Sequence, residues 1–125
     1  MNIHESGENY LETILLLQQQ KGNVRSVDIV NELGYSKSSV SRAVNILQNA
    51  GLIIIAPGSG AITFTESGIR RAQEVYVRHN ILNEFLILLG INEKTAETDA
   101  CRIEHVISAD TFDAIKIFVE KNKNT

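Results

Sequence analysis

At 125 residues, 43% of them hydrophobic and 22% charged, the chain has material for one compact unit or two small lobes, and its composition excludes a disordered tract. Its single cysteine excludes an internal disulfide framework and fits a reducing compartment, so a cytoplasmic location is expected. The net charge of −3 argues mildly against nucleic-acid binding, but between Leu33 and Thr65 stand two cations, Lys37 and Arg42, and no Asp or Glu.

The chain opens on Met1-Asn2-Ile3-His4-Glu5, with no basic run leading into an apolar stretch, so no secretory leader is expected. No apolar run approaches the roughly 20 residues that span a bilayer, and no membrane partner is expected. A first helix is predicted over residues 7–21, with Ser6 as N-cap and Tyr10, Ile14 and Leu17 on its apolar face. Its other face presents Asn9 and Glu12. Glu8 lies about 100° round the helix from Asn9 and cannot simply stand in for it. Gly22-Asn23 breaks this helix. Ser26 is placed to cap a short second one, with Val30 and Leu33 turned inward and Gly34 as its C′ residue. Ser36 caps a third, ended by Asn49-Ala50-Gly51.

Two β-prone runs follow, Leu52-Ile53-Ile54-Ile55 and Ala61-Ile62-Thr63-Phe64. The turn between them contains Pro57-Gly58-Ser59-Gly60, and together they predict a hairpin. Thr65 begins a long helix reaching Leu89 and interrupted at Gly90. A further helix is predicted through Asp99-Ala100-Cys101-Arg102-Ile103-Glu104-His105, and Ser108 caps a last one running to about Lys121.

The expected fold is therefore mainly α with a small β-hairpin. Its order, helix, helix–turn–helix and two-stranded hairpin, is that of a winged helix–turn–helix, occupying residues 1–65 and followed by a helical region, 66–125. The third helix is the candidate recognition helix. Val40, Ala43, Val44 and Leu47 form its core face, and Ser38, Ser41, Arg42 and Asn45 recur at i, i+3, i+4 and i+7 on the opposite stripe. Lys37 stands at its N-terminal end, and Ser39 is counted with the candidate DNA contacts. Every member of the stripe can donate to a base edge or phosphate, and none is negative. The hairpin tip has no Arg or Lys, so it could reach phosphates only through backbone N–H groups or Ser59.

The second informative segment is chemical. A helical spacing of three and four stacks Cys101, Glu104 and His105 on one face: a thiol, a carboxylate and an imidazole. That mixture suits a divalent transition metal of borderline softness, such as iron, zinc, cobalt or manganese. One helix supplies only one wall of a coordination sphere, so other ligands must come from elsewhere. The same residues also admit a plainer reading, with Cys101 a small buried hydrophobe and the other two solvated.

With these elements in place the chain resembles the diphtheria-toxin-repressor family of metal-dependent transcriptional regulators. The resemblance spans nearly the whole chain and is carried by the winged helix, by Val77-Arg78-His79 and by the segment from Cys101 to His105. With no C-terminal SH3-like domain expected, it is similar to the short, manganese-type members, with a helical dimerisation domain after the DNA-binding one. The resemblance implies metal ligation by Glu12, His79, Cys101, Glu104 and His105. Where members place Asp or Met on the first helix this chain has Asn9, which would ligate through its amide oxygen. Cys101 follows the iron-type pattern and Glu12 the manganese-type one, so the implied ion is Fe(II) or Mn(II), with a lean to Fe(II) and with Zn and Co admitted.

The implied function is a homodimeric, metal-activated repressor of metal-homeostasis genes acting on a double-stranded operator, not an enzyme, with no small organic substrate. Apolar residues for a dimer face are at hand in Phe112, Ile115 and Val119, in Ile103, Val106 and Ile107, and in Phe85 and Leu89; some of them must fill the protomer's own core. Two alternatives use the same residues. One is a winged-helix regulator that no longer responds to metal, with Asn9 marking the loss. The other is a metalloenzyme built on Cys101, Glu104 and His105, for which no additional general base or glycine-rich substrate loop is visible.

Overall fold

The computed structural model describes residues 5–123, with side chains from Gly7 onward. Among the described residues the order is α1 (Glu5–Lys21), α2 (Ser26–Leu33), α3 (Lys37–Asn49), β1 (Ile53–Ile55), β2 (Ile62–Phe64), α4 (Glu66–Leu88), α5 (Glu93–Ile103) and α6 (Ala109–Asn122). This is the mainly helical, winged helix–turn–helix order expected from the sequence. The chain divides into two units, Met1–Gln73 and Glu74–Thr125, with α4 running through the division.

In the first unit, α1 starts at Glu5, so Ser6 is inside its first turn instead of capping it, and the Ser6 side chain lies outside the described residues. Tyr10, Ile14 and Leu17 are buried as their spacing requires, and so are Leu11 and Leu15. The polar residues beside them are not left in solvent: Glu8, Glu12 and Thr13 are buried as well. Burying polar groups costs free energy unless they are hydrogen-bonded. Thr13 Oγ1 donates to the Asn9 carbonyl at 2.9 Å, and Glu8 Oε2 accepts from Nε and Nη2 of Arg71 at 3.1 and 2.9 Å.

The cap of α2 also differs from expectation. Arg25, extended at φ −128°, holds the cap position, and Ser26 is the first helical residue. Asp28 closes the turn: its Oδ2 accepts from the Arg25 amide at 2.8 Å, and its Oδ1 from Lys21 Nζ at the end of α1. Starting the helix there turns Ile29 wholly inside and leaves Val30 and Leu33 half-buried. Gly34 ends α2 at φ +71°, a left-handed conformation that disfavours any Cβ, and its N–H reaches the Val30 carbonyl at 2.8 Å. Ser36 caps α3 as predicted, its Oγ accepting from Ser39 N at 3.1 Å. α3 packs on α1, α2 and β1 through Val40, Val44 and Leu47. Full burial of each such aliphatic side chain stabilises by about 1.5–3 kcal/mol.

β1 and β2 pair antiparallel with Ile53 opposite Phe64, Ile54 opposite Thr63 and Ile55 opposite Ile62. Leu52 and Ala61, expected at the strand ends, fall outside. Leu52 N is taken by the Leu47 carbonyl at 3.0 Å, and its own carbonyl accepts from Thr65 N at 3.1 Å, so it belongs to the corner between α3, the hairpin and α4. Thr65 caps α4, accepting from Gly68 N at 3.0 Å while its hydroxyl donates to the Gly51 carbonyl at 2.6 Å. A Cβ on Gly68 would fall 1.7 Å from the Leu52 carbonyl oxygen, so only glycine lets the first turn of α4 lie against that corner.

The second unit comprises the rest of α4, α5 and α6. Asn92 caps α5 by accepting from Thr95 N at 2.9 Å, and Ser108 caps α6 by accepting from Thr111 N at 3.2 Å. Val75, Leu82, Ala96, Ala100 and Val119 are buried. The rings of Phe85 and Phe118 meet edge to face at 5.7 Å, and the Arg78 guanidinium lies 5.7 Å above the Phe112 ring.

Of the apolar residues left undivided by the sequence, Val119 goes inside. Phe85, Ile103, Ile107, Phe112 and Ile115 are half-buried, while Val106 and Leu89 stay exposed. Ile87, Leu88, Ile91, Ile117 and Phe118 add to the exposed apolar surface. Ile87, Leu88 and Val119, with Glu84 and Lys123, line a groove of about 230 Å³.

Candidate metal centre and nucleic-acid interface

α5 stops at Ile103, so of the predicted ligand triplet only Cys101 is helical. Glu104 and His105 lie in the turn that follows. The grouping survives because Glu104 keeps helical dihedrals (φ −57°, ψ −24°) and its amide still bonds the Ala100 carbonyl at 3.1 Å, while His105 N tightens onto Arg102 at 3.4 Å. One ligand atom each from Cys101, Glu104 and His105 lie within 4.8 Å of one another.

Glu104 is the centre of this group. Its side chain has 0% exposure, and those of His105 and His79 have 2% and 10%. His79 Nδ1 sits 3.0 Å from Glu104 Oε2, and His105 Nε2 sits 3.2 Å from Glu104 Oε1. The second contact falls outside hydrogen-bond geometry, so Glu104 Oε1 is buried without a hydrogen bond. A carboxylate in such a place needs nearby positive charge. Two imidazoles, a thiol and an orphaned carboxylate oxygen fit a borderline divalent cation. His79 Nε2 meets Glu97 Oε1 at 2.8 Å, a contact the sequence reading missed. The signal was there: Glu97 stands four residues before Cys101 and seven before Glu104, on one helical stripe.

The remaining expected ligands, Asn9 and Glu12, belong to α1 in the first unit, where Asn9 is half-buried and Glu12 is buried. Glu8 is held by Arg71, in keeping with its place round the helix from Asn9.

On α3, Lys37, Ser38, Ser41, Arg42 and Asn45 are all exposed, opposite the buried row of Val40, Val44 and Leu47. Ser39 is half-buried, and its Oγ accepts from Ser36 Oγ at 2.9 Å, so it serves the helix cap as well. Ser38 Oγ lies 3.3 Å from the same hydroxyl. The face is polar, without a carboxylate, and begins at a helix N-terminus, where the helix dipole favours anions. At the hairpin tip Ser59 Oγ accepts from Ala61 N at 3.3 Å and keeps its own proton for donation.

Two family models match. "Iron dependent repressor, N-terminal DNA binding domain" covers residues 2–61, and "Iron dependent repressor, metal binding and dimerisation domain" covers residues 65–125. The transcriptional regulator MntR of Escherichia coli O157:H7 is 36% identical over 115 residues, 92% of this chain and 74% of that protein. An uncharacterised HTH-type transcriptional regulator of Methanocaldococcus jannaschii is 34% identical over 122 residues, covering 96% of this chain and 97% of its own length.

Among solved structures, a manganese-dependent transcriptional repressor in complex with manganese matches with a TM-score of 0.82 at 28% identity, over 91% of this chain and 52% of that one. IdeR of T. acidophilum matches with a TM-score of 0.73 at 25% identity, over 97% of this chain and 55% of that one. The chain thus spans about half the length of these solved structures. Described as DNA-binding at one end and metal-binding at the other, with relatives more than 30% identical over nine-tenths of its length, the chain belongs to the iron-dependent repressor family, the metal-dependent diphtheria-toxin-repressor group that its motifs resemble.

Proposed function

We propose that this chain is a metal-activated, DNA-binding transcriptional repressor, and that its ligands are His79, Cys101, Glu104 and His105, with Glu12 and Asn9 contributed by α1. The observation that carries this reading is the cluster around the fully buried Glu104 carboxylate. A bound Fe(II) or Mn(II) would supply the positive charge that this carboxylate and the Cys101 thiolate require. The residues do the rest. Glu104 and His105 are oriented by the turn that continues α5, and His79 is held from both ring nitrogens by carboxylates.

Residues 1–65 are read as the DNA-binding part, with Lys37 and Arg42 on phosphates or guanines, Ser38, Ser41 and Asn45 near base edges, and Ser39 counted with the contacts. Residues 66–125 are read as the metal-binding and dimerisation part, using the exposed apolar side chains of the second unit. A ligand that favours the DNA-competent state shifts the population toward it, which couples metal supply to repression. A DNA partner supports a regulator and not an enzyme, and a lone cysteine in no disulfide fits a cytoplasmic location. No described helix is long and apolar enough to cross a membrane.

The test is a mobility-shift assay on the DNA upstream of the chain's own gene and of metal-uptake genes, with Fe(II), Mn(II), Co(II) and Zn(II) against a chelator. A shift that appears with one of these ions and is reversed by the chelator is expected. Equal binding with and without metal would replace this reading by a metal-independent regulator, and no binding under any condition would end it.

A further inference from the structure

The hairpin is short, three residues to a strand, and a two-stranded ribbon of that size is not stable alone. Its pairing shows what holds it. Ala56 N bonds the Ala61 carbonyl at 2.9 Å, so on β1 the amides of residues 54 and 56 face β2. The alternation of an antiparallel ladder then turns the Ile55 amide outward, and its partner across the ladder, Ile62, also presents its amide outward. Both outward donors of this one rung are taken. Ile62 N donates to the Val24 carbonyl at 2.7 Å, between α1 and α2. Ile55 N donates to Oε1 of Gln48 at 2.7 Å, on the last turn of α3.

We infer that Gln48 is the positioning residue of the wing: its carboxamide ties the outer edge of β1 to the candidate recognition helix and so sets where the tip at residues 57–60 stands relative to the DNA-facing stripe. This rests on the DNA-binding reading above. Three observations converge on it. Gln48 is solvent-exposed, so it is not required for the core, and its side chain nevertheless reaches across to a backbone amide seven residues on. The tip begins two residues after Ile55 and carries no cation, so any phosphate contact it makes depends on backbone placement instead of long-range charge. The opposite edge is held by the Val24 carbonyl, with Gln18 Nε2 donating to the Ile62 carbonyl at 3.5 Å, which leaves Gln48 as the side-chain clasp on the β1 side of the rung. The clasp also occupies an edge amide that would otherwise be open to strand pairing.

The experiment uses the full chain with Mn(II), comparing wild type with Gln48→Ala and Gln48→Glu. Amide hydrogen exchange at Ile55 should quicken by about tenfold in the alanine variant, the weight of one net hydrogen bond, while amides of α2 and α3 keep their rates. Gln48→Glu retains an acceptor oxygen and should restore the wild-type rate. On the duplex that wild type shifts with Mn(II), Gln48→Ala should bind at least about threefold more weakly and lose protection of the backbone beside the wing, with Mn(II) affinity unchanged.

Unchanged exchange at Ile55, faster exchange that Gln48→Glu fails to correct, or faster exchange with wild-type DNA affinity and footprint would each overturn the inference. A wild-type chain that shifts no duplex would instead count against the DNA-binding reading, whereas the exchange comparison would still judge the clasp.

Discussion

Glu104 is a carboxylate with no solvent exposure, faced by two imidazoles and lacking a hydrogen bond at Oε1. Removing a group that merely orients a ligand costs about 10–100-fold in metal affinity, so losing a direct ligand should cost at least as much. Calorimetric titration of Glu104→Ala, His105→Ala with Mn(II) or Fe(II) is expected to show affinity reduced by about 100-fold or more. Wild-type affinity in that double variant would remove these residues from the site.

Asp28 makes a different residue-scale case. Hydrogen bonds from the Lys21 ammonium and the Arg25 amide hold its carboxyl below the ordinary 3.8. A carboxyl whose folded pKa is depressed contributes stability above its unfolded value, and the contribution is lost as pH falls through the folded value. Thermal melts of wild type and Asp28→Asn should therefore differ at neutral pH and converge as the pH drops below about 4. A gap in melting temperature that stays constant with pH would separate Asp28 from this acid sensitivity.

Among the elements, α3 divides its work by face. Val40, Val44 and Leu47 are spent on the core, which leaves Lys37, Ser38, Ser41, Arg42 and Asn45 in solvent with no acid among them. An exposed cation on such a face stabilises little within the protein and gains its value from a polyanion, through counterion release. Arg42→Ala should weaken operator binding and reduce the slope of log K against log salt by about 1. Affinity and slope both unchanged would show that another element docks. The hairpin adds shape more than charge, and the corner of Leu52, Thr65 and Gly68 joins it to α4 with a contact that no side chain larger than hydrogen permits.

At the scale of the whole molecule, a single small winged helix reads too few bases for useful affinity. Two acting together would address half-sites about 34 Å apart or a multiple of that. The second unit exposes Ile87, Leu88, Leu89, Ile117 and Phe118, more apolar surface than a solvated helical layer needs, and a two-fold interface would bury the same patch on both copies. Light scattering at micromolar concentration with metal present should return a dimer, and Leu88→Asp, at the apolar groove, should shift it toward monomer. A monomeric wild type would rule out dimerisation through this surface.

Local grammar carried far in this chain. Ser36, Gly34 and Ser108 act as the caps their positions announce, the Pro-Gly turn makes a hairpin, and Tyr10, Ile14, Leu17, Val40, Val44 and Leu47 are buried as their spacing demands. The Cys101, Glu104 and His105 cluster was also legible, because three residues within one turn stay together whether the helix continues or tightens and stops. Periodicity names a face but not what lies opposite it, and there tertiary structure decided. It closed the polar side of α1 and gave Arg71 to Glu8. It brought Glu97 to His79 across 18 residues and turned Ile29 instead of Val30 inward. It also divided the apolar residues of the last helices into core and open surface, because burial depends on contacts between segments that no local window of sequence contains.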